Sequence, residues 1–490
     1  MPTVPNYSWP LYREFLNRSA ELSQLERWWA SGDRMIVNLY GRRRVGKSWL
    51  FRAFAHGKPA IVLVAEQVAR NTQLSRFAGQ LEPHLGLRPE IPDVPELFRL
   101  LYRIARSNRR RTLAVIDELP YLLPTRPADR QAMLTSIQAV IEEELDSPLK
   151  LVVCGSHVSQ MEQLLTERNP LRGRLRALPV EPMTFTEAKP FLERLPAEEQ
   201  ITRFSIAGGM PRYLSDLAAG PSLRDLVCNN VLDRHSALFD EPREILEQEF
   251  RDPRVYFSIL LALSDGDKPL DQIVTVVGEP GAKVNKYLTA LQEMRIVEQR
   301  KPVTAGAASR GALYSLVDPF FRFWFRFVFP YQDSLSTGLQ PAGLYDSIIT
   351  NSLASHTAPV FEQLARAWVL REHGRSSVQR AGAWWGNSLN NLRRTGERTT
   401  EEIDVVGMSQ SQVTLVGEAK WTASKLGLSV LTDLEKYKIP AVRQGAKVAA
   451  SPRIALFSKS GFGTRLQQEA ASRADIQLIG AQDLVSALQH

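Results

Sequence analysis

Gly41-Arg42-Arg43-Arg44-Val45-Gly46-Lys47-Ser48 is the stretch on which the reading of this chain turns. It satisfies G-x-x-x-x-G-K-[ST] at every position. The apolar run Met35-Ile36-Val37-Asn38-Leu39-Tyr40 before it reads as a strand, and Trp49-Leu50-Phe51-Arg52-Ala53-Phe54 after it as the first turns of a helix. Between a strand and a helix, Gly41 and Gly46 let the backbone wrap so that its N–H groups point at phosphate oxygens, helped by the helix N-terminus. Lys47 then reaches the β- and γ-phosphates and the Ser48 hydroxyl holds Mg²⁺. A glycine turn without a ligand would need neither flank, so the octet predicts a nucleoside-triphosphate site.

A second apolar run, Leu113-Ala114-Val115-Ile116, ends in Asp117-Glu118. Ligands of parallel sheets meet the carboxyl ends of the strands. Asp117 is therefore expected to hold Mg²⁺ through water, and Glu118 to polarise the water that attacks the γ-phosphate. Strand patterns at 35–40, 60–65, 112–117, 149–154 and 176–180 alternate with helical ones such as Glu96 to Arg106 and Ala128 to Leu145. That alternation predicts an α/β fold, a parallel-sheet ATPase core over 1–182 with helices on both faces. Ser156, just past the fourth strand, is placed for the γ-phosphate or its water, and equally for a helix N-cap.

The whole chain has 490 residues, more than one core serves, so two to four domains are expected. Its net charge of +8 admits a polyanionic partner, although a basic surface with no partner gives the same sum. Cys154 and Cys228 are the two cysteines, too few for a metal cluster or disulfide framework, which points to a reducing, cytoplasmic compartment. The start of the chain lacks the order of a signal peptide, and the greasiest stretch, 319–330, contains Arg322 and Arg326 and is too short for a membrane span.

Residues 183–248 read as a helical lid, broken at Gly208-Gly209-Met210-Pro211. Over 249–317, three short helical patterns (254–263, 270–277, 283–294) precede two strand-like pieces (296–300, 312–316), the order of a winged helix-turn-helix. Lys283, Asn285 and Lys286 open its third helix, either a DNA-reading element or a packing module. The run Phe320-Phe321-Arg322-Phe323-Trp324-Phe325-Arg326-Phe327 has the ring density of a core helix, with base stacking as the alternative. Residues 318–350 are expected to be that aromatic helix and then a polar linker.

From 351 to 490 an independent α/β domain is expected. Asp404 lies on one strand pattern (402–406), Glu418 and Lys420 on the next (413–420), and Glu362 on a preceding helix (352–372). Alternate residues of a strand share a face, so Glu418 and Lys420 point the same way. Gathered with Asp404 and Glu362, they suit phosphodiester cleavage. Asp404 and Glu418 would bind one or two Mg²⁺, Glu362 would complete the shell, and Lys420 would orient the water or stabilise the phosphate. Each residue alone is also a solvated strand end.

Residues 15–215 resemble the archaeal-type branch of the AAA+ and signal-transduction ATPases. The resemblance is carried by Phe15-Leu16-Asn17-Arg18 with Glu21-Leu22, the Gly41–Ser48 loop, Asp117 to Leu122, Cys154-Gly155-Ser156, Pro170 to Arg174 and Gly208 to Leu214. Residues 316–330 and 360–490 are similar to the C-terminal region that accompanies this ATPase, itself similar to the PD-(D/E)XK restriction-endonuclease superfamily. Glu401 to Val406, Gly417 to Trp421 and Phe457 to Phe462 carry that match. The resemblance implies ATP and Mg²⁺ as cofactors, Glu118 as catalytic base, Ser156 as a sensor, and Glu362, Asp404, Glu418 and Lys420 as a nuclease site. It makes Arg174 a candidate for an arginine supplied to the γ-phosphate, in cis or from a neighbour in a homo-oligomer, against a plain surface salt bridge. It assigns no role to Arg43 and Arg44. The function expected is an ATPase coupled to a Mg²⁺-dependent DNA nuclease in defence or DNA processing. The alternatives are a nucleotide-dependent DNA-binding regulator that does not cut, or a signalling ATPase.

Overall fold

A computed structural model describes residues 4–9, 17–144, 146–218, 220, 222–250, 252–306, 311–374, 377–389 and 400–489. Phe15, Leu16 and Leu145, named above, lie outside the described residues. The chain divides into two compact units, one of residues 1–182 with 210–212 and one of 183–209 with 213–490.

In the first unit, β1 (Ile36–Tyr40), β2 (Ala60–Val64), β3 (Thr112–Asp117), β4 (Leu149–Gly155) and β5 (Leu175–Pro179) form one sheet in the order β2-β3-β4-β1-β5. Every pairing is parallel. The strands are continuous apolar runs because both faces are covered: all of β1, β3 and β4 is buried. Asn38 sits inside β1 because its amide donates to Met161 O at 2.9 Å. The helix Val94–Asn108 shows how the cover forms. Asp93 accepts from Glu96 N to cap it, Pro95 fits its first turn, and Leu97, Leu101, Ile104 and Ala105 recur on one buried stripe. A side chain such as Leu101, fully buried, contributes about 1.5–3 kcal/mol.

Parallel pairing places the loops after β3, β4 and β1, three neighbours in the sheet, on one edge. That edge carries Asp117-Glu118, Ser156 and the phosphate loop together.

The second unit contains the helices Ala197–Ala207 and Glu241–Glu249, then three short helices, Arg254–Ser264, Leu270–Val277 and Gly281–Glu293. An antiparallel ribbon follows, β6 (Val297–Arg300) with β7 (Leu313–Leu316). The aromatic run is core. Phe320, Phe321, Phe323, Trp324 and Phe325 have no exposed surface, and Trp324 Nε1 donates to Phe239 O at 2.7 Å. Stacking on a base requires an open ring face, which these rings lack.

The expected linker over 331–348 is a correction. Gln332–Thr337, Pro341–Leu344 and Tyr345–Ile349 are helical and run on into the long helix Thr350–His373. Few apolar residues mark this stretch, but Leu335, Leu344, Tyr345 and Ile349 are all buried and anchor it.

The last five strands are β8 (Arg380–Asn387), β9 (Thr400–Ser409), β10 (Gln412–Lys420), β11 (Lys447–Ser458) and β12 (Ile476–Gly480). They form a mixed sheet in the order β12-β11-β10-β9-β8. β8, β9 and β10 are antiparallel, and β10, β11 and β12 parallel.

Candidate functional sites

The phosphate loop is shaped by two glycines with different tasks. Gly46 takes φ +98°, a left-handed conformation that L side chains rarely adopt. At Gly41 the constraint is space: a Cβ there would lie 2.2 Å from Val180 O, the carbonyl just past β5. Val180 N in turn donates to Tyr40 O at 2.7 Å, so β5 grips the loop's root. Arg18, a buried residue in left-handed conformation, clamps the same region. Its Nη2 donates to Val45 O at 2.8 Å and to Glu181 O at 2.7 Å. The sequence marked Arg18 only through the resemblance, because its acceptors are main-chain atoms far along the chain.

Lys47 is buried, and its ammonium donates to the loop carbonyls of Gly41 (2.7 Å) and Arg42 (3.0 Å). Burial lowers its pKa. Ser48 Oγ stands 3.2 Å from Asp117 Oδ2, which unites the two residues expected to hold Mg²⁺. Burial, then the neighbouring Glu118 charge, raises the Asp117 carboxyl. A hydroxyl beside a carboxylate fits Mg²⁺, which takes one or two protein ligands and fills the rest with water and phosphate. Glu118 has φ +56°, and Oε2 accepts from both Ser156 N and Ser156 Oγ at 3.0 Å. Ser156 thus contacts the candidate base directly, and its side chain caps no helix.

Within its own chain Arg174 takes the second of its two expected roles, the surface salt bridge. It immediately precedes β5, and its carbonyl accepts from Ile36 N at the start of β1. The phosphate loop leaves the other end of β1, roughly 15 Å away at ~3.3 Å per residue. Arg174 instead pairs with Glu142 at 3.1 Å on the surface. Within its own chain it does not reach the γ-phosphate.

In the second unit, Asp404, Glu418 and Lys420 meet. Lys420 Nζ lies 2.7 Å from Asp404 Oδ2 and 2.7 Å from Glu418 Oε2. Ala419 N donates to Asp404 Oδ2 at 2.9 Å, fixing that carboxylate across the β9–β10 pair. Burial works to lower the Lys420 ammonium, but Asp404 and Glu418 outweigh it and the pKa rises.

Glu362, on the long helix, faces this group. Burial and then the Asp404 charge push its carboxyl up to about 8. The same two causes raise Glu418. Among the described residues no three or more His, Cys, Asp or Glu gather closely enough to hold a metal by themselves. Asp404 and Glu418, each paired with a cation, still suit Mg²⁺, whose remaining ligands come from water and substrate phosphate.

The sequence reading missed two cations. Lys438, buried, donates to Glu418 Oε1 at 2.7 Å. Arg366, one turn after Glu362, donates to Asp404 O at 2.8 Å and lies 3.8 Å from Glu362. The i, i+4 spacing of Glu362 and Arg366 was a readable signal; nothing local pointed to Lys438. The ribbon also reaches this sheet. Val303 N donates to Ala383 O at 2.9 Å on edge strand β8, and Trp385 Nε1 donates to Gly311 O at 3.2 Å.

Residues 15–217 match an ATPase domain family found predominantly in Archaea, and residues 324–433 match a family of archaeal and bacterial proteins of unknown function. An uncharacterized protein of Methanocaldococcus jannaschii is 26% identical over 416 residues, 83% of this chain and 87% of that protein. An uncharacterized ATP-binding protein of the same organism is 48% identical over 44 residues, 9% of this chain and 75% of its own length. Among solved structures, a Walker-type ATPase of Pyrococcus abyssi is similar at 19% identity and a TM-score of 0.45, over 66% of this chain and 98% of that one. The ORC2 protein of Aeropyrum pernix, solved in ADPNP–ADP complexes, is similar at 15% identity and a TM-score of 0.42, over 71% and 98%. No helix among the described residues is long and apolar enough to cross a membrane.

Proposed function

We propose that this chain, whose residues 15–217 carry an ATPase domain of the predominantly archaeal family, hydrolyses ATP and couples the cycle to a Mg²⁺-dependent DNA nuclease site in its C-terminal domain. On the ATP side, Lys47 exchanges its loop carbonyls for phosphate oxygens. Ser48 and Asp117 hold the ion. Glu118 orients the attacking water once Ser156 yields part of its grip. Bound Mg²⁺ neutralises charge on the phosphates.

The observation that carries the nuclease half is the meeting of Asp404, Glu418 and Lys420 at 2.7 Å contacts on adjacent strands. Asp404 and Glu418 would hold Mg²⁺, which lowers the pKa of a bound water. Lys420 positions that water or the scissile phosphate, and Lys438 keeps Glu418 oriented. In our reading the helices at 254–293 and their ribbon are a winged helix-turn-helix within a restriction-endonuclease-like chain, and duplex DNA is the partner. Net charge and the exposed Lys283 and Lys286 on its third helix support this. The compartment is the cytoplasm, and copies of the chain self-associate.

A second reading has one observation in its favour. Lys420 and Lys438 already pair with both carboxylates, and a protein that grips DNA without cutting it needs no more.

The test incubates the purified chain with supercoiled and linear DNA and Mg²⁺, with and without ATP, beside Lys420→Ala and Lys47→Ala. Cleavage lost in Lys420→Ala, and responsive to ATP only while Lys47 is present, supports the nuclease. DNA retained under every condition without cleavage moves the assignment to the regulator.

A further inference from the structure

The phosphate loop carries three consecutive arginines, and Arg174 lies at the wrong end of the sheet to serve its own site. We infer that Arg43 is the arginine that stabilises charge on the γ-phosphate during hydrolysis, supplied in cis and aimed by Tyr121. This rests on the ATP-hydrolysis reading above.

Arg43 is the third residue of the octet, between the two glycines, in the segment that wraps the phosphates. Its side chain is half-buried. Nη2 donates to Tyr121 OH at 3.0 Å. Tyr121 belongs to the short turn Leu119–Leu122 that follows Glu118 directly, and its main-chain N donates to Glu118 O at 3.0 Å. The Tyr121 ring meets His157, the residue after Ser156, edge to face at 5.8 Å. One side-chain bond thus ties Arg43 to the turn carrying the candidate base and to the residue beside the sensor serine.

One further observation points to an absent acceptor. Arg43 Nε is out of solvent with no hydrogen-bond partner. A buried donor left unsatisfied is costly, more so on a charged group, and an oxygen-rich ligand would relieve it. Of the neighbouring arginines, Arg42 is buried, and Arg44, at φ +67°, is exposed.

In the reaction, water attacks the γ-phosphorus and its proton passes to Glu118. The bond to the β,γ-bridging oxygen breaks, and ADP leaves with that oxygen. Negative charge grows on the bridging and terminal oxygens, and the guanidinium fork meets it with several donors. An arginine in this role is worth about 10³–10⁵ in rate.

The test uses the full chain and the variants Arg43→Ala, Arg43→Lys and Tyr121→Phe, with ADPNP and ADP–aluminium fluoride as ground-state and transition-state probes. Calorimetry reads both affinities, and steady-state assays read kcat and KM. We expect Arg43→Ala to bind ADPNP within about threefold of the unaltered chain, to lose the fluoride complex, and to lose about 10³-fold in kcat. Arg43→Lys keeps the charge without the fork and should recover little. Tyr121→Phe keeps the guanidinium but not its aim, and should lose about tenfold in kcat with KM unchanged. The unaltered chain's rate per molecule should not rise with protein concentration.

Equal loss of both probes in Arg43→Ala would overturn the inference in favour of ground-state binding, and full activity would overturn it outright. A rate per molecule that rises with protein concentration would give the role to a neighbour. No hydrolysis by the unaltered chain despite ADPNP binding would remove the parent reading, and this one with it.

Discussion

Replacing Gly41 with alanine isolates the tertiary demand on the phosphate loop. Gly41 has no left-handed φ, so the backbone itself would accept alanine without strain. The obstacle is the Val180 carbonyl, 2.2 Å from where the Cβ would stand. Ordinary carbon–oxygen contact needs roughly 1 Å more, and both sides are main chain, so no side chain can swing away. Either the loop rises or the end of β5 is displaced by about that distance. Such overpacking costs about 1–3 kcal/mol. A 1 Å error in a catalytic cradle costs about 10²-fold in rate. Titration with ADPNP by calorimetry, thermal unfolding and kcat for ATP would be measured together. Gly32→Ala, with nothing within 4 Å of its Cβ, is the control for the substitution itself. A Gly41→Ala chain that binds ADPNP and turns over like the unaltered one would refute the claim that β5 sets the loop's position.

Three further outcomes follow from the geometry. Lys438→Met removes one of two cations from a buried carboxylate, and because Lys420 remains, the loss should be about 1.5–3 kcal/mol, seen in denaturant melts of the second unit; Glu418→Gln in the same chain should recover part of it. Trp324→Ala empties a fully buried site and orphans Phe239 O, so it should cost about 3–5 kcal/mol and lower the melting temperature without altering ADPNP affinity. Arg174→Ala breaks a surface pair and should shift stability by less than about 1 kcal/mol; unchanged kcat at the lowest protein concentration assayed checks the placement of that residue.

Some of this protein was legible before any fold was seen. The Gly41–Ser48 octet, its strand and its helix are contiguous, so hydrophobic period and glycine chemistry encode them together. The same holds for Asp117-Glu118 at the end of β3, and for Glu418 and Lys420, whose i, i+2 spacing puts them on one face of β10. The aromatic run announced its burial by density alone. At 331–348 the anchors Leu335, Leu344 and Tyr345 are too sparse to overcome the polar residues between them, so the pattern suggested a linker where there are helices.

The order of strands and the partners of long side chains belonged to the tertiary structure. Sheet order β3-β4-β1 brings Asp117, Ser156 and the phosphate loop to one edge, while the parallel register of β5 on β1 carries Arg174 to the other. Lys438 found Glu418, Arg43 found Tyr121, and the ribbon found β8, each across a gap in sequence that no local pattern spans. Periodicity and turn chemistry act over a few residues and are written in the chain. Pairing between distant segments is settled by which faces must be buried together, and that is decided only when the whole chain has folded.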